Sequence, residues 1–206
     1  ALNGEAQEVC VMQSSRYIYC DDPEFVIAEC HKDAQWFAHQ YGLDVIREKI
    51  EARAYGIDGI PITDEDTKRH STKYFEFHVK IGRQTEDNAD AVKMMQEDEI
   101  VELKQISRKY SDLYKIPIPL SFNKHKGYQR YLNLRFRNMG RENAMSRVER
   151  VAAEIEKNTK YKIVKIIPEY VWYDSYTALD KGWIDYTQKE LEMLFKTKGV
   201  NFVSKL

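Results

Sequence analysis

The feature that most constrains the fold is a strict alternation of apolar and polar side chains in several short segments. In residues 74–81, phenylalanine, valine and isoleucine occupy every second position, and charged or polar residues occupy the positions between them. A period of two places these two sets on opposite faces of a β-strand. The alternation recurs in residues 131–137, and residues 45–55 and 161–174 also have strand character. These segments predict a sheet with one buried and one polar face.

Helical patterns separate the predicted strands. Residues 22–41 begin with Asp22 as a capping residue and Pro23 at the first helical position, and Gly42 supplies a stop. Apolar residues recur at helical spacing in residues 88–113 and again in residues 141–157. A further helix is predicted at residues 187–198, and additional strands at residues 9–19 and 116–122.

The order of these elements predicts the fold class. From about residue 74 to residue 174 the order is strand-helix-strand-strand-helix-strand, which indicates an α+β fold with a ferredoxin-like split β-α-β-β-α-β core. In such a core an antiparallel sheet carries both helices on one face. The N-terminal strand-helix-strand unit, residues 9–55, is expected to extend this sheet. With a loop at 56–72, a helical tail at 175–206 and no flexible linker, we expect one domain over residues 1–206.

Composition and cysteine usage exclude several classes of protein. Of the 206 residues, 43% are hydrophobic, and no run approaches the roughly 20 apolar residues that span a bilayer. The formal net charge of -1 excludes a globally basic nucleic-acid binder. Cys10, Cys20 and Cys30 form no Cys-x-x-Cys pair, and no basic segment followed by an apolar one marks a signal peptide. We therefore expect reduced thiols and a cytoplasmic location.

The polar face of the predicted sheet carries candidate functional residues. If both helices cover one face, the alternation places these residues on the other, open face: Arg47, Lys49, Glu51, Arg53, Tyr55, Tyr74, Glu76, His78, Lys80, Asn133, Arg135 and Arg137. Arginine and lysine suit phosphate oxygens, and the ordinary pKa of histidine, about 6.5, suits acid/base chemistry. The same pattern is also typical of a solvated sheet face whose opposite charges pair across strands.

Charge is divided unevenly along the chain. Residues 1–114 carry 14 basic and 23 acidic side chains, whereas residues 115–206 carry 18 basic and 10 acidic ones. Residues 115–141 contain seven basic side chains, no acidic one and four interleaved aromatic residues. Basic side chains follow phosphates while aromatic rings stack on bases, so this segment suggests nucleic-acid binding. It could equally neutralise the acidic residues 86–102 within the monomer or across a dimer.

The segment 137–141 also leads into a predicted helix. The first N–H groups of a helix attract anions, and Gly140 allows close approach of a ligand to the backbone. We therefore assign ligand binding to Arg135, Arg137 and Arg141, with Lys80 and Arg53 as further contacts.

Three hypotheses for function follow. The first is a soluble binding protein whose basic, aromatic-bearing sheet face and helix start hold a nucleotide or single-stranded nucleic acid. The second is an enzyme that acts on a phosphorylated small molecule, with His78 as acid/base and Glu76 assisting it. The third is a structural module in which the acidic half of one copy meets the basic half of another. No P-loop, dinucleotide-binding, zinc, hydrolase or RNA-recognition signature appears, so no cofactor or metal is assigned.

Overall fold

The computed structural model describes residues 13–69, 72–83, 100–122 and 130–177. Within these ranges the chain is mixed α+β. Its elements in chain order are α1 (Pro23–Tyr41), β1 (Lys49–Arg53), a short 3₁₀-helix (Glu65–Arg69), β2 (Tyr74–Arg83), α2 (Val101–Tyr114), β3 (Leu120–Phe122), β4 (Arg130–Arg137), α3 (Arg141–Asn158) and β5 (Tyr161–Asp174). The predicted helices at 22–41 and 141–157 and the strands at 74–81, 131–137 and 161–174 are confirmed.

Local chemistry explains the ends of α1. The side chain of Asp22 accepts a hydrogen bond from the N–H of Glu24 at 3.0 Å, which satisfies one of the free donors at the helix start. At the other end, Gly42 adopts the left-handed conformation with φ 61°, and its N–H donates to the carbonyl of Ala38. The predicted capping residue and the predicted stop are therefore both correct.

The N-terminal unit differs from the prediction. Residues 13–19 form no strand, and β1 begins at Lys49 rather than at residue 45. Tyr17 and Tyr19 are almost fully exposed, so the β-friendly composition of this segment does not lead to pairing in a sheet. The described part of this unit is therefore a helix followed by a strand.

Two further elements are observed over only part of their predicted ranges. The strand predicted from residue 116 begins only at Leu120, because Pro117 and Pro119 cannot donate ladder hydrogen bonds. The predicted helix at 88–113 is observed from Val101 onward. Residues 9–12, 88–99 and 187–198 lie outside the described residues.

The five strands form one antiparallel sheet in the order β1-β5-β2-β4-β3. At its centre, Phe77 of β2 lies opposite Leu134 of β4 and Pro168 of β5. The register of β2 and β5 shifts between Lys80 and Ile81, which is the signature of a β-bulge. This shift matters for the site because it changes which side chains of β5 share a face.

The hydrophobic core lies between one face of the sheet and the helices α2 and α3. The core side chains of the sheet include Phe75, Phe77, Val79, Leu132, Leu134 and Phe136, and those of the helices include Leu103, Ile106, Val148, Val151 and Ile155. Burial of this many apolar side chains is the main stabilising contribution. Within the described ranges, no helix combines the length and apolar character needed to cross a bilayer.

Candidate functional site

The sheet face opposite α2 and α3, here called the outer face, has a carboxylate at its centre. Glu76 of β2 receives a hydrogen bond from Lys49 Nζ at 2.6 Å and one from Arg135 Nε at 2.8 Å, and a second Arg135 nitrogen also contacts it. The side chain of Glu76 is 1% exposed and that of Arg135 is 5% exposed. Lys49 also pairs with Glu51. The centre of the outer face is therefore a buried ion-pair network.

The charge state of Glu76 follows from this geometry. Burial by itself would raise the pKa of Glu76, but the positive charges of Lys49 and Arg135 outweigh burial and lower this pKa to about 2. Burial would likewise lower the pKa of Lys49, whereas Glu76 and Glu51 raise it above its ordinary value. At neutral pH Glu76 stays ionised and holds two cations, so it does not exchange protons.

His78 lies beside this network and has an acceptor on each ring nitrogen. Its Nδ1 is 2.7 Å from Asn133 Oδ1, and its Nε2 is 3.2 Å from Glu169 Oε2 and 3.8 Å from Glu76 Oε1. The amide nitrogen of Asn133 donates to Ser121 Oγ at 2.8 Å, which leaves the amide oxygen facing His78. Both ring nitrogens therefore face oxygen atoms that accept hydrogen bonds, an arrangement suited to the imidazolium form.

The same contacts act on the pKa of His78. Burial would lower this pKa, but the hydrogen bond to Glu169, the charge of Glu76 and the hydrogen bond to Asn133 together raise it above the ordinary histidine value. The side chain of His78 is 28% exposed, so solvent still reaches it. His78 is therefore a partly accessible group whose protonation is stabilised by two carboxylates.

The face is less open than the sequence predicts. Tyr74 is 1% exposed and donates its hydroxyl hydrogen to Asp174 Oδ2 at 2.9 Å. Arg47 donates to both oxygens of Asp174, from Nε at 2.9 Å and from a terminal nitrogen at 2.6 Å. With Glu76 and Arg135 also buried, the prediction of a solvent-open face is wrong for this part of the sheet. The charges there pair with one another.

The other end of the outer face has a different character. Lys80 of β2 lies opposite Tyr131 of β4 and Lys165 of β5, and Lys162 lies opposite Gly82. Residues directly opposite each other in an antiparallel pair project to the same face. Within the described part of the chain, no carboxylate pairs with Lys80, Lys162 or Lys165. We call Lys80, Lys162, Lys165 and Tyr131 the lysine end.

The helix start at Arg141 is already occupied by the protein itself. The N–H of Gly140 donates to Asp64 Oδ1 at 2.7 Å, and the N–H groups of Arg141 and Glu142 donate to the carbonyls of Pro61 and Ile62. A Cβ on residue 140 would lie 2.2 Å from the carbonyl carbon of Thr63, so the glycine permits this close approach of the loop. The free donors on which the predicted anion site depends are therefore bonded to residues 61–64.

The predicted ligand-binding arginines separate into different environments. Arg135 binds Glu76, and Arg53 lies opposite Glu169 in the sheet register. The guanidinium carbon of Arg137 lies 5.7 Å from the ring centre of Tyr74. Arg141 donates to the carbonyl of Ala54 at 2.9 Å, and its guanidinium carbon lies 4.5 Å from the ring centre of Tyr55. The structure thus brings Glu76, His78, Arg135 and Arg53 together and places Arg141 apart from them.

The sequence reasoning did not identify Lys162 and Lys165 as site residues. In a regular strand, residues three apart project to opposite faces, so the sequence pattern cannot place both beside Lys80. Lys165 lies opposite Lys80 in the regular part of the register, and the bulge that follows Lys80 brings Lys162 to the same face. Tyr131 was visible as an alternating residue of its strand, but its position beside two lysines depends on the sheet register.

Neither a metal cluster nor a relative identifies the site. Among the described residues, no group of three or more histidine, cysteine, aspartate or glutamate side chains is placed to hold a metal ion. No family model, no curated protein and no solved structure matches this chain at a significant level. The geometry of the outer face is therefore the basis for the functional argument.

Proposed function

We propose that the protein binds a phosphate-bearing ligand, a nucleotide or single-stranded nucleic acid, at the lysine end of the outer face. The observation that carries this proposal is the row formed by Tyr131, Lys80 and Lys165 on three neighbouring strands. Lysine supplies point charges for phosphate oxygens, and a tyrosine ring offers a face on which a base stacks. The proposal assigns phosphate contacts to Lys80, Lys162 and Lys165.

The division of charge across the face supports this assignment. Around Glu76, the cations Lys49 and Arg135 are held by a carboxylate, and Arg53 lies opposite Glu169. A ligand phosphate would have to displace a buried carboxylate to reach Arg135, which would leave that carboxylate without its partner. The lysines require no such exchange. Among the five residues that the sequence assigns to ligand binding, we propose only Lys80 as a direct phosphate contact.

The proposed architecture is the ferredoxin-like split β-α-β-β-α-β arrangement. The strand order β5-β2-β4-β3, antiparallel throughout and with α2 and α3 against one face, supports it. In this arrangement β2 and β4 are the central strands of the core, and they carry Lys80 and Tyr131. Modules of this class use aromatic residues on such strands to stack bases.

The test is a fluorescence-anisotropy titration with a labelled oligoadenylate, repeated over a series of salt concentrations. Each phosphate contact to a single strand contributes about 0.7 to the slope of log affinity against log salt. The double variant Lys80→Gln/Lys165→Gln should therefore lower this slope by about 1.4. Lys68→Gln/Lys157→Gln removes the same charge from exposed positions off the outer face and should leave the slope near its wild-type value. Equal slopes for the two double variants, or no saturable binding by the wild type at low salt, contradict the proposal.

A separate variant tests whether the ring of Tyr131 stacks on a base. Tyr131→Leu keeps an apolar side chain but removes the aromatic face. Loss of one stacked base costs roughly 1–3 kcal/mol, so affinity for oligoadenylate should fall at least about fivefold. Affinity for inorganic polyphosphate, which has no bases, should change little. Equal losses for both ligands would show that Tyr131 does not stack on a base.

An enzyme that uses His78 on a phosphorylated small molecule is the second candidate. It is favoured by the partial exposure of the ring and by the acceptors that orient both of its nitrogens. Because Glu76 is ionised and paired, His78 would have to transfer the proton without its help. Release of inorganic phosphate from a panel of phosphomonoesters, present in wild type and absent in His78→Gln, distinguishes turnover from binding alone.

A further inference from the structure

His78 and Lys80 lie two positions apart on the same face of β2. Two residues of a strand span about 6.7 Å, so a phosphate bound to Lys80 lies close to the His78 ring. This distance is comparable to the Debye length of about 8 Å at physiological salt, so dissolved ions screen the interaction only in part. Gain or loss of one charge on the ring therefore changes the potential at the lysine end.

The contacts of His78 favour the doubly protonated ring. Its Nδ1 faces the amide oxygen of Asn133, whose amide nitrogen is directed at Ser121, and its Nε2 faces Glu169. When the ring is neutral, one nitrogen has no hydrogen and its lone pair faces an oxygen atom. Deprotonation therefore removes a positive charge and one hydrogen bond together.

Among the described residues, the charged and polar groups around His78 come from four strands of the sheet. These groups are Glu76 and Lys80 on β2, Asn133 and Arg135 on β4, Glu169 and Lys165 on β5, and Lys49 and Arg53 on β1. Lys49 and Arg135 are held by Glu76, and Arg53 faces Glu169. Among these groups, His78 is the one with an ordinary pKa close to neutrality.

We propose that His78 couples ligand binding at the lysine end to proton uptake, so that affinity for a phosphate-bearing ligand is higher when its ring is charged. This inference rests on the proposed function and describes the regulation of the same site. By linkage, a bound phosphate stabilises the imidazolium, and the imidazolium stabilises the bound phosphate to the same extent. Affinity should therefore fall as pH rises through the titration of His78. A unit charge on the His78 ring, about 6.7 Å from a phosphate bound to Lys80, corresponds to roughly a fivefold change in affinity near a protein surface.

The experiment measures the affinity of the full chain for labelled oligoadenylate at constant ionic strength from about pH 6 to about pH 9. Internucleotide phosphodiesters do not titrate in this range, and circular dichroism at each pH confirms that the protein remains folded. His78→Gln keeps a polar side chain without a titrating ring. His39→Gln is the matched control, because His39 is an exposed histidine on α1. Wild type and His39→Gln should lose about fivefold in affinity, and His78→Gln should bind equally at all pH values.

A second measurement needs no variant. Calorimetric titration of the wild type in two buffers of different ionisation enthalpy gives the number of protons taken up on binding. Near the midpoint of the His78 titration this number should be a positive fraction of one.

The outcomes separate the two proposals. Binding that is independent of pH and takes up no proton overturns the coupling and leaves the proposed function standing. A pH dependence that persists unchanged in His78→Gln also overturns it, because another group is then responsible. Absence of binding at every pH overturns the proposed function and the coupling with it.

Discussion

Glu76→Gln removes one negative charge from the buried centre of the outer face and keeps the size of the side chain. Lys49 and Arg135 then lose the carboxylate that both contact, at 2.6 Å and 2.8 Å respectively. An amide oxygen still accepts one hydrogen bond, but it does not compensate two buried positive charges. Removing one partner from a buried ion pair is strongly destabilising for this reason.

The expected magnitude follows from the pKa of Glu76. The folded protein lowers this pKa from an ordinary value of 4.5 to about 2, and each unit of difference corresponds to about 1.36 kcal/mol. The ionised form therefore contributes roughly 3 kcal/mol to the free energy of unfolding at neutral pH. Glu76 is 1% exposed, so solvent screening reduces this contribution little. A loss of about 3–5 kcal/mol is also typical of a broken buried pair.

Urea denaturation followed by tryptophan fluorescence measures this loss. With a denaturant slope of about 2 kcal/mol/M, the midpoint of Glu76→Gln should lie about 1.5 M below that of the wild type. Glu51→Gln is the matched control, because Glu51 also pairs with Lys49 but its side chain is 37% exposed. Exposed pairs contribute about 1 kcal/mol or less. A loss of less than about 1 kcal/mol for Glu76→Gln, or a loss no larger than that of Glu51→Gln, would show that the buried cations do not depend on the charge of Glu76.

Three further predictions concern pH and packing. Because folding lowers the pKa of Glu76, the contribution of this residue to stability is present at neutral pH and is lost as pH falls from about 4.5 towards about 2. Acid unfolding of Glu76→Gln should therefore lack this part of the wild-type profile. Folding raises the pKa of His78, so the contribution of His78 to stability is present below about pH 6.5 and is lost as pH rises through the raised value. Thermal melts of His78→Gln should show no such decline with pH. An identical decline in this variant would assign the effect to another group. Gly140→Ala places a Cβ 2.2 Å from the carbonyl carbon of Thr63 and should cost about 1–3 kcal/mol of the free energy of unfolding relative to the wild type. A melting temperature equal to that of the wild type would contradict this packing.

Much of the fold could be predicted because it depends on local patterns. The alternation in residues 74–81 and 131–137 identifies two strands and the face that each side chain occupies, since the side-chain period of a strand is two. Asp22, Pro23 and Gly42 mark the ends of α1 because caps act within a few residues. The strand predicted at residues 9–19 is wrong over its described part, 13–19, because composition alone cannot provide a partner strand.

The alternation of side chains along the strands identifies the candidates for the outer face and their chemistry. It placed Glu76, His78 and Lys80 on one side of β2 and Arg135 on the same side of β4, where the structure also has them. Which charged side chains form ion pairs depends on the register between strands that are distant in sequence. Only the folded sheet brings Lys49 and Arg135 onto Glu76. The β2–β5 register places Lys165 opposite Lys80, and the bulge in this pair brings Lys162 to the same face. Because ion pairing depends on distance in space, only the folded sheet shows which cations have a carboxylate partner and which have none among the described residues.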